Sequence, residues 1–233
     1  MRRLAALSLI ALAVLILGMP AYAGPILRLT DVTKSIQIAI GDNTTLDLDP
    51  TVGVITISVN LANQTLFPGS TSTWTVNATT GLTKPYQGTA IVPSMDLNSV
   101  DAKGPGTLVI EFTDTDFGPL PVNYSYVGDI GGTTVGKVSY NAYLDPGNVA
   151  FAPTVSLFGI GPFGPGGFNG TGTSGALTAA FPYSITQLVT IVHTTTGTSS
   201  FDATLTAVPE PSALLLLGSG LAALGVWRLR KRN

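Results

Sequence analysis

Between residues 24 and 208 apolar side chains recur at every second position, and no stretch holds a 3.6-residue period over three turns. Ile36, Ile38 and Ile40 alternate with Ser35, Gln37 and Ala39, and Leu108, Ile110 and Phe112 alternate with Val109, Glu111 and Thr113. Phe201, Ala203, Leu205 and Ala207 alternate in the same way with Asp202, Thr204 and Thr206. Successive side chains of a strand point to opposite faces, so this pattern makes strands with one buried face. Ile55, Ile57 and Val59 continue it, while Val52 and Val54 fall in the opposite phase, which calls for a bulge near Val54. Residues 185–192 are apolar on both faces and read as a central strand. Gly41-Asp42-Asn43, Asp49-Pro50, Pro68-Gly69, Gly104-Pro105-Gly106, Gly118-Pro119, Gly131-Gly132 and Asp145-Pro146-Gly147 read as turns. Many short antiparallel strands at turn spacing define an all-β domain over 24–207, a β-sandwich or jelly roll. The run 159–175 holds eight glycines and two prolines. It is expected to be a mobile loop, with Phe163 and Phe168 docked back on the sheet.

The flanks of this domain follow other rules. Met1-Arg2-Arg3 precedes an apolar run over 4–17, broken only by Ser8, and then Ala21-Tyr22-Ala23. A positive start, a short apolar run and a small-x-small site predict a secretory signal peptide over 1–23. It would engage the Sec translocon and be cut after Ala23 by signal peptidase. The run is shorter than the roughly 20 residues of a transmembrane helix, and Arg2-Arg3 lacks the surrounding pattern of a twin-arginine signal. On the other flank, Val208-Pro209-Glu210-Pro211-Ser212 leads into 15 uncharged residues, 213–227, followed by Arg228, Arg230, Lys231 and Arg232. A helix over 212–229 would run ~27 Å against a hydrocarbon core of ~30 Å. The basic cluster would act as a membrane stop on the cytoplasmic side, with Trp227 at the interface. Pro209 and Pro211 hold Glu210 extended, within reach of a processing enzyme.

The order Val-Pro-Glu-Pro-Ser, a Leu/Gly/Ala-rich span and an Arg-rich cluster resembles the PEP-CTERM sorting domain, a tail that also carries the label ice-binding protein C-terminal domain. The resemblance covers 208–233 and puts the sorting and processing motif on Pro209, Glu210 and Pro211. It implies an exosortase substrate of a Gram-negative bacterium that makes extracellular polysaccharide. Such a protein is exported and transiently anchored in the inner membrane with its body in the periplasm. It ends at the cell surface or outside the cell. An ordinary single-pass anchor needs similar apolarity and flanking charge, and remains the alternative.

Charge and composition restrict what the body does. Over 24–208, 12 acidic and five basic side chains leave a net charge of −7. Such a surface repels phosphate, so no nucleic-acid partner is expected. The absence of cysteine removes disulfides, thiolate zinc sites and cysteine nucleophiles. Gly159-x-Gly161-x-x-Gly164 has the letters of a dinucleotide fingerprint, but Pro162 and Pro165 deny it the helix it needs. His193, the single histidine, follows Val189 and Ile191 in strand phase, and no Gly-x-Ser-x-Gly elbow accompanies it. It reads as a strand-end histidine instead of a catalytic base. No cofactor is expected, calcium excepted. Asp47 with Asp49 and Asp114 with Asp116 offer hard oxygen ligands at alternate positions, against the commoner reading of aspartates in turns. Glu111 and these aspartates are the material for a glycosidase pair, but spacing alone does not make one. The threonines repeat at no fixed period, so no ice-binding array is expected. Tyr124, Tyr126, Tyr140 and Tyr143 offer stacking faces for sugars, half of them assigned to the core by alternation. The leading expectation is a non-enzymatic adhesive or structural β-domain associated with exopolysaccharide. The alternative is a secreted carbohydrate-active or other hydrolytic enzyme on a jelly-roll scaffold.

Overall fold

The computed structural model describes residues 24–64 and 69–210, together with 216–219, 221 and 228. The expected signal peptide with its Ala23 cleavage point lies outside the described residues, as do Pro211, most of the span 212–229, and Arg230, Lys231 and Arg232. Residues 216–219 are helical, and no helix of the described residues is long and apolar enough to cross a membrane.

Ten antiparallel strands follow one another: β1 (Ile26–Asp31), β2 (Ile36–Gly41), β3 (Val54–Asn60), β4 (Thr75–Leu82), β5 (Ser94–Phe117), β6 (Tyr124–Thr134), β7 (Lys137–Asp145), β8 (Val155–Phe163), β9 (Gly166–Leu177) and β10 (Tyr183–Pro209). β5 and β10 run 24 and 27 residues and pair with each other from Tyr183↔Phe117 to Thr206↔Ser94. Most strands have only about five or six residues. Their register shifts between His193 and Gly197, at mid-ribbon, and there the long ribbon folds over. One layer is then ordered β2-β1-β5-β10-β7-β8 and uses the second half of β5 with the first half of β10. The other is ordered β3-β4-β5-β10-β6-β9 and uses the remaining halves.

The layers meet face to face over a single apolar core. The Tyr126 hydroxyl on β6 lies 2.8 Å from that of Tyr183 at the start of β10, and the Tyr140 hydroxyl on β7 donates to the Thr204 carbonyl across the layers at 2.9 Å. A Cβ on Gly81 of β4 would lie 2.7 Å from the Phe112 ring of β5. The core follows the alternation: Leu108, Ile110 and Phe112 are wholly buried, as are Phe201, Ala203 and Leu205. Each such large apolar side chain contributes about 1.5–3 kcal/mol on burial. A bulge does interrupt the β3–β4 pairing between Ile55 and Ile57, but its extra residue lies on β4, opposite Thr56, and not on β3 near Val54; Val54 and Ile55 are both buried. The chain is all-β and antiparallel, packed as a sandwich.

Three further expectations need correction. Gly104-Pro105-Gly106 lies inside β5, where the strand passes from one layer to the other, and Gly131-Gly132 lies inside β6. The run 159–175 is not a loop; it forms the end of β8, a turn at Gly164-Pro165, and most of β9. Its glycines serve close approach, which a strand interior also uses glycine for. A Cβ on Gly172 would lie 2.6 Å from the Phe158 ring, and one on Gly170 2.6 Å from Phe163. Phe163 and Phe168 stack with centroids 5.1 Å apart and pack against the core, as their docking required.

The fold gives the sandwich two unlike ends. The connections β1–β2, β3–β4, β6–β7 and β8–β9 sit where the ribbon folds over. There Thr107 N–H donates to Thr33 Oγ1 at 2.8 Å, and Trp74 lies against Gly104. The other connections and both chain exits, Gly24 and Glu210, gather at the opposite end.

Candidate functional site

Several concavities among the described residues carry polar groups, one of about 200 Å³ at Asp47 and Asp49 among them, and two of these exceed it in size. The larger, about 510 Å³, opens at the exit end and is lined by Gly24 and Pro25, by Asp42 and Val52 of the β2–β3 connection, by Lys84, Pro85 and Gly88 of the β4–β5 connection, and by Asp114 and Asp116. This volume suits a small ligand, for which sites run roughly 300–1,000 Å³. Asp114 ends the run of buried positions on β5 and is wholly buried. Its Oδ2 accepts from Thr83 Oγ1 and from Lys84 Nζ, both at 2.9 Å, and its Oδ1 from Thr115 N–H at 2.8 Å. Burial pushes its pKa up, and the Lys84 ammonium opposes the shift. Lys84 also donates to the Thr115 carbonyl and lies 4.3 Å over the Phe117 ring. Asp42 accepts from Gly53 N–H and from Asn43 Nδ2, each at 2.9 Å. Burial raises its pKa too, with Asp47 adding to the rise and the Gly53 N–H opposing it. Asp116 exchanges two hydrogen bonds with the Asn148 side chain, at 2.8 and 2.7 Å.

A shallower trough of about 380 Å³ crosses the outer face of the second layer, lined by Ser99, Asp101, Gly131, Gly132, Thr133, Ser200 and Asp202. Gly131 opens it by carrying no side chain, for a Cβ there would meet nothing closer than 3.7 Å. Asp202 accepts the Ser99 N–H at 2.6 Å, and the Ser200 hydroxyl donates to Asp101. On the same face, burial and then the Asp202 charge push the pKa of Asp96 up to about 6, and its Oδ1 is buried without a partner. Hydroxyl-bearing ligands fit such a surface, because carboxylates accept from them and Ser and Thr hydroxyls both donate and accept.

The residues singled out from sequence are scattered over these features. Asp47 and Asp49 lie in the β2–β3 connection, away from Asp114 and Asp116 in strand β5. Asp47 accepts from three backbone N–H groups, those of Asn43, Asp49 and Thr56, and Asp49 accepts from Thr51 N–H at 2.8 Å. Among the described residues no three carboxylate or imidazole groups come together to hold a metal ion. Glu111 faces Arg28 on the neighbouring strand in a two-pronged ion pair, both bonds 2.6 Å, with Phe151 against the guanidinium. His193 is buried, with Nδ1 on the Gly104 carbonyl at 2.7 Å and Nε2 paired to the Ser199 hydroxyl at 2.8 Å. Ser199 is wholly buried as well, so the pair meets no substrate. Tyr126 and Tyr140 belong to the core and Tyr124 and Tyr143 are half-buried. Sequence reasoning paired Asp114 with Asp116 and missed Lys84. The scarcity of cations in an acidic body was the available signal that a half-buried cation would find an acid, as Arg28 and Lys84 do.

The sorting residues join the fold directly. β10 continues through Pro209, which pairs with Tyr124, and the Glu210 N–H donates to the Asn123 carbonyl at 2.7 Å. Residues 207–231 match the family described as the PEP-CTERM protein-sorting motif. No curated protein matches the chain. Among solved structures, the K1 cleaved adhesin domain of Lys-gingipain from Porphyromonas gingivalis W83 shares 13% identity over 72% of this chain and 96% of its own, with a TM-score of 0.34. The carbohydrate-binding module TmCBM61, in complex with β-1,4-galactotriose, shares 15% over 66% and 100%, with a TM-score of 0.32. The enzymatically active domain of bacteriophage CBA120 tailspike protein 4 shares 18% over 58% of this chain, with a TM-score of 0.32, and this chain spans only 19% of it. Likeness at this level assigns neither ligand nor activity. The chain carries a protein-sorting motif that begins within the last strand of an all-β domain.

Proposed function

We propose that this is an exported protein sorted by an exosortase, whose β-domain is a non-enzymatic adhesive or structural module associated with extracellular polysaccharide. The carrying observation is the protein-sorting motif at 207–231. In this reading signal peptidase cuts after Ala23, residues 212–229 hold the protein in the inner membrane, and Arg228, Arg230, Lys231 and Arg232 stop its transfer. Exosortase then acts at Pro209-Glu210-Pro211 and the body leaves for the surface or the matrix. The hydroxyl- and carboxylate-lined trough supports an association with sugars, whose hydroxyls match its donors and acceptors. Incubation of the full chain with polysaccharide from its host tests this. Retention without shortening of the polymer is expected, weakened several-fold when Asp101 and Asp202 become Asn, an order of magnitude fitting the loss of one or two polar contacts.

A hydrolytic reading draws on one observation, that Asp42, Asp114 and Asp116 border a single cleft and that burial raises two of them, as a catalytic acid requires. Against it, Asp114 is held by Lys84 and Asp116 by Asn148. New reducing ends in the same incubation, lost on Asp42→Asn, would move the protein to that class.

A further inference from the structure

The end of the sandwich that releases the sorting motif is also studded with exposed apolar side chains. Three of the loops at this end, β4–β5, β5–β6 and β9–β10, are tied together by backbone hydrogen bonds. Gly118 N–H donates to the Ala90 carbonyl at 2.7 Å and Leu120 N–H to the Ala179 carbonyl at 3.0 Å. Ala207 N–H, on the final strand, donates to the Pro93 carbonyl at 2.9 Å. These loops carry Val122 at 74% exposure, Phe181 at 61%, Ile91 at 52% and Val92 at 37%. Val122 directly precedes Asn123, whose carbonyl holds the Glu210 N–H.

From that pinned residue the chain has little reach. Only Pro211 and Ser212 separate Glu210 from the uncharged run that starts at Ala213. Three residue steps span roughly 10 Å at full extension. A polar interfacial zone is itself about 5–8 Å deep on each side of the hydrocarbon core. With the run in a bilayer, this end of the domain has nowhere to sit except against the headgroups.

We propose that the loops bearing Ile91, Val92, Val122 and Phe181 form a membrane-contact surface, resting in the lipid interface while the tail is anchored. The inference rests on the anchor reading of 212–229. Apolar burial supplies the contact, because a body of net charge −7 gains nothing from anionic lipid. Val32 and Val135 are exposed too, at 52% and 57%, but they sit at the fold-over end, the second half of β10 away, roughly 40 Å from Gly197 to Pro209 at ~3.3 Å per residue. That end stays in water.

The chain's lack of cysteine makes the test clean. Phe181→Cys, Val122→Cys and Val135→Cys, each introduced into the full chain, are labelled with a polarity-sensitive fluorophore and reconstituted into zwitterionic phosphatidylcholine vesicles. The expected result is flotation of all three with the vesicles. Emission should shift to the blue and be quenched by spin-labelled acyl chains at positions 122 and 181, with no change at 135. Flotation with no shift at 122 and 181, or with equal shifts at all three positions, overturns the contact surface and leaves the anchor standing. Failure to float overturns the anchor reading, and the contact surface with it.

Discussion

The fold-over end and the exit end of the sandwich are held by different forces. Where β5 and β10 change layers, His193 bridges the Gly104 carbonyl and the Ser199 hydroxyl, and Ser199 pairs in turn with Thr134 at 2.7 Å. Trp74 lies against the imidazole with centroids 5.2 Å apart and fills the space over Gly104, where a Cβ would come within 2.6 Å of the indole. A Cβ on Gly136 would meet the Val192 carbonyl at 2.1 Å. The crossing point of the ribbon is close-packed. At the exit end the polar groups line an open cleft, and apolar side chains face outward on loops. The contrast separates two roles: the closed end fixes how the ribbon folds, and the open end exposes a cleft and apolar side chains that the fold does not use.

Substitutions should break along that line. Trp74→Ala is expected to cost about 3–5 kcal/mol, read as a lower urea midpoint, although its indole N–H has no partner to lose. Tyr86→Ala, at a large aromatic side chain of the exit end that is 62% exposed, should stay within about 0.5 kcal/mol. Lys84→Met tests an exit-end group that is structural. Removing the partner of a buried carboxylate costs about 3–5 kcal/mol at neutral pH, and the deficit against the parent should shrink as acid protonates Asp114, whose pKa burial already raises. His193→Phe keeps an aromatic ring but strands the Gly104 carbonyl and the Ser199 hydroxyl, a loss of about 1–3 kcal/mol.

The smallest effect lies on the outer face of the second layer and has the opposite sign. Asp96 ordinarily titrates near 3.8 and is raised to about 6 in the fold, by burial and then by Asp202. The folded state therefore binds the proton more tightly than the unfolded chain. Stability falls as pH rises from 3.8 to about 6, and the whole cost persists above that. Asp96→Asn should raise the melting temperature at pH 7 by an amount worth about 1 kcal/mol, because water still screens this half-exposed group. The gain should vanish below pH 3.8, where Asp96 is protonated in both states.

Legibility from sequence follows the same division. Period-two patterning identified the strands because each layer is half-buried, so Ile36–Ile40 and Phe201–Ala207 alternate in burial as in polarity. Glycine misled it. Gly104-Pro105-Gly106, Gly131-Gly132 and 159–175 read as turn or loop because backbone freedom and the need for a missing side chain look identical in a one-letter string. In the fold, Gly132 is there because a Cβ would lie 2.0 Å from the Ser200 carbonyl, and Gly128 because it would lie 2.2 Å from Phe158. The shared phase on both sides of Gly104, with Val100 and Ala102 before it and Leu108, Ile110 and Phe112 after it all at even positions, was the signal that one strand passes through. The cleft was not legible, since Asp42, Lys84 and Asp114 come together only through the pairing of β4 with β5 and the crossing of the β2–β3 connection.

In the proposed reading a folded β-domain runs without a spacer into a sorting signal that is removed. Mass spectrometry of the mature protein isolated from its host tests it most directly. The expected species begins at Gly24 and ends within the 207–231 motif, without the uncharged run and the basic cluster. An intact chain, from Met1 through Asn233, in the surface or extracellular fraction would contradict it.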